Sequence, residues 1–511
     1  MKGYYIHRMK IRYRNLLILT FLYMYIPMII FMVGWTKPLW AIIALTVLGI
    51  EVVLMIRDYS KDGESEDDNR YIVISPYMLV GAILVISVIA IVLGVGGLYP
   101  QAGDWYKHNA VLRDLTFMEW PVYYTKYDNC MLTYYLGQYL LPAFIGKICN
   151  SFEVSNIVMA IWGIAGLVLC YIHLVRIVKA NGNVRKQLVS LLFMLFFCGA
   201  LNLCQNVING LFGSEMYSLG QYHWILISNI MLQYRSNLIM IRWVFPQVIV
   251  PWMVTMMFVE HKDDVKHYMA LILPTIMFGT FSFGALAVIA VIYALIKMLK
   301  HDITIKGIVC NFNTIIALTS GVILFFYFFG YMQVKKPVSS SFRWQIYQGK
   351  YIWVYLLFCF FMFGIYAICT WKENGREPLW YINLAVLMFL PWCRMGLCND
   401  MVMSGSIPSL FYLMISVLMV LFKDEQSQSL GIRKGIIIAT FLIGCWYPVL
   451  ELRDNILDNT QGMNLGDGYF TMTEFTDRSS TEISEDLLYN YYTYDPDGKI
   501  FYEYIARKKI R

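Results

Sequence analysis

Charged residues are scarce in this chain. Of its 511 residues, only 15% are Asp, Glu, Lys or Arg, whereas 59% are hydrophobic. Globular proteins carry roughly 25% charged residues, so the composition excludes a soluble protein of this size. Several apolar runs exceed the roughly 18 residues that a helix needs to cross a bilayer. The sequence therefore predicts an all-α, polytopic transmembrane helical bundle.

The chain also lacks the residue spacings of a metal site. It has 11 cysteines, but neither a CxxC pair nor a Cys/His ligand pattern occurs. No metal ligands are therefore assigned. The net charge of +7 does not indicate a nucleic-acid partner, because in a membrane protein its distribution among the loops sets the orientation.

A cleavable leader is not indicated either. The basic N-terminal residues are followed by the apolar run 15–35, which is too long for a signal-peptide core and has no small-residue cleavage pattern. We expect a retained first span. About 13 spans are predicted in all, at 15–35, 38–56, 72–98, 152–175, 187–204, 243–259, 267–280, 283–299, 308–330, 351–370, 379–395, 407–422 and 434–450.

Short basic loops determine the predicted orientation. The positive-inside rule places them in the cytoplasm together with the basic N-terminus. This requires the run 267–299 to cross out and back, as two thin spans or as a re-entrant hairpin, although one long helix also fits its hydropathy. We expect the plasma membrane, with the N-terminus inside and the C-terminus outside. The basic loops are 57–70, 175–186, 260–267, 297–307, 371–378 and 423–434.

The predicted outer face carries the long polar segments. We divide the chain into a two-span extension (1–71), a catalytic module (72–450) and an external tail (451–511). Residues 131–148 are short for a span and have apolar residues at helical spacing, which favours a helix lying in the membrane interface. In the tail, the "DPDG" turn between aromatic stretches predicts a strand hairpin.

Ionisable residues gather in the stretch "GDWYKHNAVLRDLTFMEWPV", residues 103–122. On a helix, Asp104, Lys107 and His108 share one face, and Asp114 lies further along. A carboxylate held there can act as a general base on an incoming hydroxyl or amine, so Asp104, His108 and Asp114 are the candidate catalytic residues. A solvated face of a helix at the membrane surface explains the same charges equally well.

Other external polar residues are candidates for binding substrate. Arg binds phosphate as a bidentate fork and Lys binds it as a point charge. Snorkelling to the interface is the alternative for Arg242 and Arg394, which lie near span ends. The candidates are Lys107, Asn109, Arg235, Arg242, Lys335, Lys336, Arg343, Arg394, Asn399 and Asp400.

A span that leads into an external loop with an early Asp, followed by interfacial helices, resembles the GT-C superfamily of integral-membrane glycosyltransferases. The segments "GLYPQAGDWYKHNAVLRDL", "WPVYY" and "YYLGQYLLPAFIGK" carry this resemblance. Downstream, "QYRSNLIMIRWVFPQVIVPWM" and "NDMVMSGSIPSLF" look like recurring segments of uncharacterised bacterial members. The layout extends over most of residues 72–450.

The resemblance implies transfer of a sugar from a polyprenyl-phosphate donor to a glycan, lipid or protein acceptor outside the cytoplasmic membrane. Asp104 matches the early loop Asp, which serves as base or as acceptor-binding carboxylate. His108 and Asp114 belong to the same motif. Arg343 and Arg242 are the residues expected to hold the lipid phosphate. No organic cofactor is implied, and a divalent metal is left open.

The chain departs from the family pattern in three places. Two extra spans precede the span that leads into the Asp loop, whereas the family usually places this loop after its first span. No second acidic residue follows Asp104 directly, which puts a paired-carboxylate or metal-assisted mechanism in doubt. Ser404 stands where relatives are expected to carry a basic residue, so a phosphate contact there would be lost.

Two other functions fit the composition. A polysaccharide polymerase or ligase of the cell envelope would use a similar lipid-linked donor. A lipid-linked-sugar transporter or flippase would instead place ionisable groups near the bilayer midplane. The middles of the predicted spans are nearly free of charge, which disfavours this function, and Glu51 in the second span is the exception.

Overall fold

The computed structural model describes most of the chain. The described residues are 9–64, 70–127, 130–213, 224–227, 230–309, 311–332, 341–396, 398–424, 427–457, 470–479, 488, 490–493 and 498–507. Predicted binding residues Lys335 and Lys336 lie outside them.

The first part of the chain forms three long helices and the segment that carries Asp104. Strands β1 and β2 pair antiparallel, with Met9 opposite Ile74 and Arg12 opposite Tyr71. The elements are β1 (Met9–Arg12), α1 (Tyr13–Trp35), α2 (Pro38–Glu64), β2 (Tyr71–Ile74), α3 (Pro76–Val92), α4 (Trp105–Phe117), β3 (Tyr123–Tyr124), β4 (Cys130–Leu132) and α5 (Gly137–Cys149).

The middle of the chain contains two sharply bent helix pairs. Ser151, Asn183 and Ser236 cap helices α6, α7 and α9, each by accepting a hydrogen bond from a backbone N–H in the first turn. The elements are α6 (Phe152–Ile177), α7 (Val184–Phe196), α8 (Leu201–Phe212), β5 (Ile225–Ile227), β6 (Ile230–Leu232), α9 (Asn237–Trp243), α10 (Ile249–Glu260), α11 (Tyr268–Ile272), α12 (Thr280–Leu299) and α13 (Ile305–Val309).

The last part of the chain completes the bundle and ends in a small segment packed on α4. Strand β9 joins β3 and β4 in a three-stranded sheet, and the other sheets have two strands each. The elements are α14 (Phe312–Met332), β7 (Arg343–Trp344), α15 (Lys350–Cys359), α16 (Ile365–Asn374), α17 (Pro378–Phe389), β8 (Cys393–Arg394), α18 (Asp400–Gly405), α19 (Ile407–Leu421), α20 (Gln428–Gly444), α21 (Trp446–Leu457), α22 (Met472–Arg478) and β9 (Tyr492–Thr493).

Among the described residues, eight helices are long and apolar enough to cross a membrane, or up to ten if each bent pair is one span. The chain is therefore a polytopic α-helical membrane protein. The α7–α8 pair bends by 51°, and α9 bends by 119° against the segment that contains α10. Three shorter apolar segments, Pro76–Val92, Val265–Met277 and Pro378–Trp392, lie beside these spans. The predicted count of 13 includes all of them.

Burial separates the central helices from the peripheral ones. The span made by α18 and α19 is 89% buried inside the protein, whereas that of α2 is 28% buried. Apolar side chains on the outer faces of α2 and α3, such as Ile42, Val53 and Leu84, are exposed. In a membrane protein such a surface contacts lipid, which solvates it as well as a protein core does.

The loops gather at two opposite ends of the bundle. At one end, which we call the basic-loop end, Arg176 pairs with Glu260, Lys262 with Glu377 and Arg433 with Glu373. These pairs join predicted cytoplasmic loops to one another. At the other end, which we call the long-loop end, the described parts of 99–151, 224–236, 341–349, 393–400 and 451–507 lie together. The two-ended arrangement agrees with the predicted grouping of loops, and the orientation in the membrane stays a prediction.

Two local predictions need correction. Residues 131–148 do not form one helix, because residues 130–132 pair as a strand with β3 and β9 before α5 begins at Gly137. The described part of the tail does not form the predicted hairpin, since β9 pairs with β4 and Phe501–Ile505 is helical. Residues 495–497 of the predicted turn lie outside the described residues.

The run 267–299 is broken at Phe278 and Gly279, after a short turn of helix that contains Pro274. This break agrees with the prediction of two separate segments and excludes the alternative of one long helix.

Candidate functional site

Asp104 stands at the start of α4, at the long-loop end. It is the residue before the first helical turn, and its carboxylate pairs with the ammonium of Lys107 at 2.9 Å. The two side chains keep 35% and 30% of their surface accessible, although protein surrounds them on most sides. This combination is typical of a recess that stays open to solvent.

The charges around Asp104 keep its carboxyl ionised. Burial raises the pKa of Asp104, but the hydrogen bond and charge of Lys107 and the charge of Arg235 outweigh burial, so the pKa lies below its usual range. Asp104 is therefore an anion before any substrate arrives, in the form that can accept a proton.

His108 lies one turn further along α4 and stays neutral. Burial, together with the charge of Lys107, lowers the pKa of His108 to about 3. Its Nδ1 lies 2.5 Å from the Tyr139 hydroxyl, and its ring meets that of Trp105 edge to face. A neutral imidazole fixed in this way can position α4 against α5 and offers little proton exchange near neutral pH.

Residues distant in sequence complete the recess. Arg235 is 7% exposed, and it feels the charges of both Asp104 and Asp400. Cys398 lies near enough to Asp104, Lys107, Arg235 and Asp400 for each of them to influence the pKa of its thiol. The structure thus brings together four predicted site residues from separate segments of the chain. They are the acidic residues Asp104 and Asp400 and the basic residues Lys107 and Arg235.

Tyrosines lie around the same recess. Tyr135 and Tyr139 lie within electrostatic range of Asp104, and Tyr491 lies within that range of Lys107. The ring of Tyr134 is tilted by 34° against that of Tyr135, with centroids 3.6 Å apart, and stacks on that of Tyr491, with centroids 4.1 Å apart. Such rings present an apolar face and a polar edge, a combination that suits a ligand with both kinds of surface.

Amide side chains hold the loops that carry Arg235 and Asp400. Gln233 donates to the Asn399 carbonyl at 2.9 Å, and Gln345 bridges the backbone of Met231 and Pro391. Asn399 is fully buried, and its amide bonds with the backbone of Met395, Met231 and Cys393. The predicted binding residue Asn399 therefore fixes the loop, with no amide atom directed to a ligand.

Gly396 allows the turn that brings Asp400 inward. Its φ is +85°, and a Cβ there would lie 2.3 Å from Asp400 Oδ2. Both the backbone conformation and the close approach exclude larger residues.

A pair of arginines lies beside this loop. Arg343 on β7 and Arg394 on β8 face each other across the strand pair. Like charges directly opposite in a ladder repel each other, and an anion between them would relieve the repulsion. The exposed aromatic side chains Phe342, Trp344 and Phe389 contact one another beside the pair, and Arg394 lies within electrostatic range of the Cys398 thiol.

Arg242 has a different environment from the other predicted phosphate ligands. Its Nη1 lies 2.9 Å from Glu451 Oε1 and also donates to the Glu451 carbonyl at 3.1 Å. The two side chains are 7% and 6% exposed. Because Glu451 compensates the charge of Arg242, the pair joins α9 to α21. We therefore do not count Arg242 among the cations of the recess.

Asp114 and Asn109 lie apart from the recess. Asp114 is ten residues beyond Asp104, about 15 Å along a helix. Its Oδ2 accepts hydrogen bonds from the Tyr124 hydroxyl and from Met472 N, so it anchors α22 to α4. Asn109 is buried and donates to Gln101 Oε1 at 2.6 Å.

We expect Asp114 to make the docking of α22 pH-dependent. Burial raises the pKa of Asp114 to about 6, against hydrogen bonds from Met472 and Tyr124 that lower it. Because the folded protein holds this proton more tightly than the unfolded chain, the stability contribution is full below about pH 4 and is lost as pH rises through 6. Limited proteolysis beside α22 across this range measures it. In Asp114→Asn the pH dependence should disappear, and an unchanged slope would contradict the assignment.

A cleft opens at the basic-loop end. Its volume is about 390 Å³, and it is lined by charged residues that include Arg176, Lys179, Glu260, Lys262, Glu373 and Glu377. Three ion pairs engage most of these charges: Arg176–Glu260, Lys262–Glu377 and Arg433–Glu373. We place the candidate site at the recess because its carboxylate, Asp104, is ionised and accessible and can accept a proton.

Several residues of the recess were not predicted from the sequence. Tyr135 and Tyr139 lie in the segment "YYLGQYLLPAFIGK" but were not predicted as site residues, and Cys398 and Tyr491 have no motif that marks them. Their proximity to Asp104, Lys107 or Arg235 identifies all four. Frequent tyrosines in the external segments were the one available signal. Comparisons of the chain with protein-family models, curated proteins and solved structures find no match.

Proposed function

We propose that the protein is a membrane glycosyltransferase that takes a sugar from a polyprenyl-phosphate donor and passes it to an acceptor at the long-loop end. A glycan, a lipid or a protein residue would serve as acceptor, and a growing glycan would make the same chemistry a polymerisation. The proposed orientation puts this end outside the plasma membrane, with 13 crossings if the three shorter apolar segments also span.

The observation that carries the proposal is the composition of the recess. An accessible carboxylate held ionised, Asp104, lies with two cations, Lys107 and Arg235, at the end of an apolar bundle. A base, an anion-binding pair and aromatic walls are the groups that transfer from a sugar phosphate requires.

Each group has a role in the reaction. The acceptor oxygen forms a bond to the anomeric carbon and gives its proton to the Asp104 carboxylate. The bond between the anomeric carbon and the phosphate oxygen breaks, and its electron pair leaves with the lipid phosphate. Lys107 and Arg235 stabilise the negative charge that develops on this leaving group, and they do so strongly because the recess is partly dry.

The arginine pair on β7 and β8 supports entry of the donor from the bilayer. Trp344 is 57% exposed and Phe389 is 56% exposed, beside Arg343 and Arg394. Aromatic side chains at a membrane–water interface sit at the headgroup level, and arginines there bind phosphate. Cys398 lies within electrostatic range of Arg394 and also of Asp104, Lys107 and Arg235 in the recess. The donor's phosphate would pass from the outer pair to Lys107 and Arg235.

Turnover of a labelled donor tests the proposal. The purified protein in liposomes would be given polyprenyl phosphates that carry different sugars, with a panel of acceptors, and release of polyprenyl phosphate would be followed. We expect release with one sugar class, dependent on an acceptor. No release from any donor by folded protein would overturn the proposal.

The arginine pair should affect binding of the lipid donor more than the rate of the transfer step. We expect Arg343→Ala together with Arg394→Ala to raise KM for the lipid donor by about tenfold or more with little change in kcat, because contacts made equally in ground and transition states affect binding alone. A water-soluble donor with a short prenyl chain is the control, and its KM should change less. Equal KM values in variant and wild type would contradict this entry route.

A flippase is the second candidate, supported by Glu51. This residue of the α2 span is 1% exposed and bonds with His267, which is fully buried. Ionisable groups within spans often serve transport. Movement of a labelled lipid-linked sugar across protein-containing vesicles, without sugar transfer, would favour this function over the first.

A further inference from the structure

Four ionisable side chains meet at the basic-loop end, on the opposite side of the protein from the recess. His267 follows the turn after α10, and its Nε2 lies 3.2 Å from Asp58 Oδ2 and 3.8 Å from Asp264 Oδ2. Its Nδ1 lies 2.9 Å from Glu51 Oε1. Asp58 and Glu51 belong to α2, so the cluster joins α2 to the turn between α10 and α11.

A buried carboxylate destabilises the fold unless a positive charge or hydrogen bonds compensate it. His267 is fully buried, and Glu51 is 1% exposed. The second carboxylate oxygen of Glu51, Oε2, is buried without a hydrogen-bond partner. An incompletely paired carboxylate in an apolar helix is destabilising, so a further cation in contact with the cluster would stabilise it.

The distances suit a single metal ion. One ligand atom each from Asp58, Asp264 and His267 can be chosen so that all lie within 4.8 Å of one another. Two ligands at about 2.0–2.2 Å from one ion are at most about 4.4 Å apart. The distances from His267 Nε2 to the Asp58 and Asp264 oxygens satisfy this limit. The two carboxylate oxygens, within 4.8 Å of each other, need to approach by at most a few tenths of an ångström.

Glu51 supplies the usual support for a metal-binding histidine. Metal-ligating histidines donate the other ring N–H to a carboxylate, which fixes the tautomer and raises the basicity of the ligand. When Nδ1 donates its N–H to Glu51, Nε2 is the nitrogen with the free lone pair, and it faces Asp58 and Asp264.

We propose that Asp58, Asp264 and His267 bind a divalent cation, with Glu51 orienting the imidazole. A donor set of one imidazole and two carboxylates suits Zn²⁺ or Mn²⁺. The site is independent of the proposed transferase chemistry, and its role is to fasten α2 to the basic-loop end.

Lys266 offers the competing explanation. Its ammonium lies 2.9 Å from Asp58 Oδ2 and 3.4 Å from Asp264 Oδ1, so it already provides one positive charge to both carboxylates. The exposed Arg57 provides a second to Asp58, with Nε 2.9 Å from Oδ1. Lys266 is 42% exposed on a flexible stem, and a divalent ion can displace it toward solvent. The two explanations make opposite predictions for removal of this lysine.

Metal titration of the purified full chain tests the proposal. After chelator treatment, Zn²⁺ and Mn²⁺ would be titrated in detergent by calorimetry. We expect one ion per chain for wild type, at least 100-fold weaker binding for His267→Ala, and about 10–100-fold weaker binding for Glu51→Gln. Lys266→Met should bind at least as tightly as wild type. The control Asp263→Asn, at an acid that is 71% exposed and pairs with Lys297, should bind unchanged.

The outcomes separate a metal site from an ion-pair network. Absence of stoichiometric binding in wild type, or equal binding by wild type and His267→Ala, would overturn the proposal. If His267→Ala does not fold, Lys266→Met decides: binding retained or strengthened supports the metal site, and binding lost contradicts it. Loss of sugar transfer with cation binding intact would count against the transferase alone.

Discussion

Replacement of Asp104 by Asn is expected to reduce kcat for sugar transfer by about 10²–10⁴-fold, the contribution of a positioned general base. The amide keeps the size of the side chain but cannot accept the acceptor's proton. KM for the lipid donor should change little, since Lys107 and Arg235 remain. The measurement is release of polyprenyl phosphate and formation of product at saturating donor and acceptor.

A matched replacement at the same end provides the control. Asp477 pairs with Lys126 and is 42% exposed on α22, so Asp477→Asn should leave kcat unchanged. Equal turnover by Asp104→Asn and wild type would remove Asp104 as the base. A rise in KM with unchanged kcat would instead give it a binding role.

Replacement of Arg242 by Met is expected to lower the free energy of unfolding by about 3–5 kcal/mol. Both members of the pair with Glu451 are nearly inaccessible, and removal of one partner leaves a buried charge uncompensated. Chemical unfolding in detergent, followed by tryptophan fluorescence, measures the loss. This large effect distinguishes a structural pair from the phosphate ligand that the sequence predicted.

The double variant Arg242→Met with Glu451→Met provides the control. Removal of both charges avoids the uncompensated carboxylate, so the double variant should recover most of the lost stability. Wild-type stability in Arg242→Met, accompanied by a higher KM for the lipid donor, would show that Arg242 binds the donor's phosphate.

Local spacing was enough to predict part of the recess. Asp104 and Lys107 are three residues apart at the start of a helix, and the structure pairs them as that spacing implies. Apolar runs likewise predicted the helical membrane class, because the length needed to cross a bilayer is a property of the segment itself. The grouping of the basic loops at one end also follows from local features. Each span takes the chain to the opposite side, so alternate loops lie at the same end.

Long-range contacts could not be predicted in this way. The association of Arg235 and Asp400 with Asp104 depends on loops that distant amides, Gln233 and Asn399, hold in place. Glu451 is 209 residues from its partner Arg242, and no local pattern joins them. Sequence reasoning therefore assigned Arg242 and Arg343 to the lipid phosphate alike, whereas the structure gives Arg242 a partner of its own.

The contacts of Glu51, the acidic residue in the second span, could not be predicted for the same reason. Asp58 lies two turns further along the same face of α2, but the residue that contacts both, His267, is 216 residues away from Glu51. The tail hairpin was wrong for a related reason: the strand at Tyr492 finds β4 as a partner, and that choice depends on tertiary packing more than on its turn.

The position of a bound lipid phosphate tests the central claim most directly. A structure of the protein with polyprenyl phosphate, the product of the proposed reaction, would locate the phosphorus atom. We predict that it lies within hydrogen-bonding distance of Lys107 or Arg235, on the same side of the protein as the Asp104 carboxylate. A phosphate bound at the basic-loop end, or bound with Asp104 facing away from it, would contradict the account.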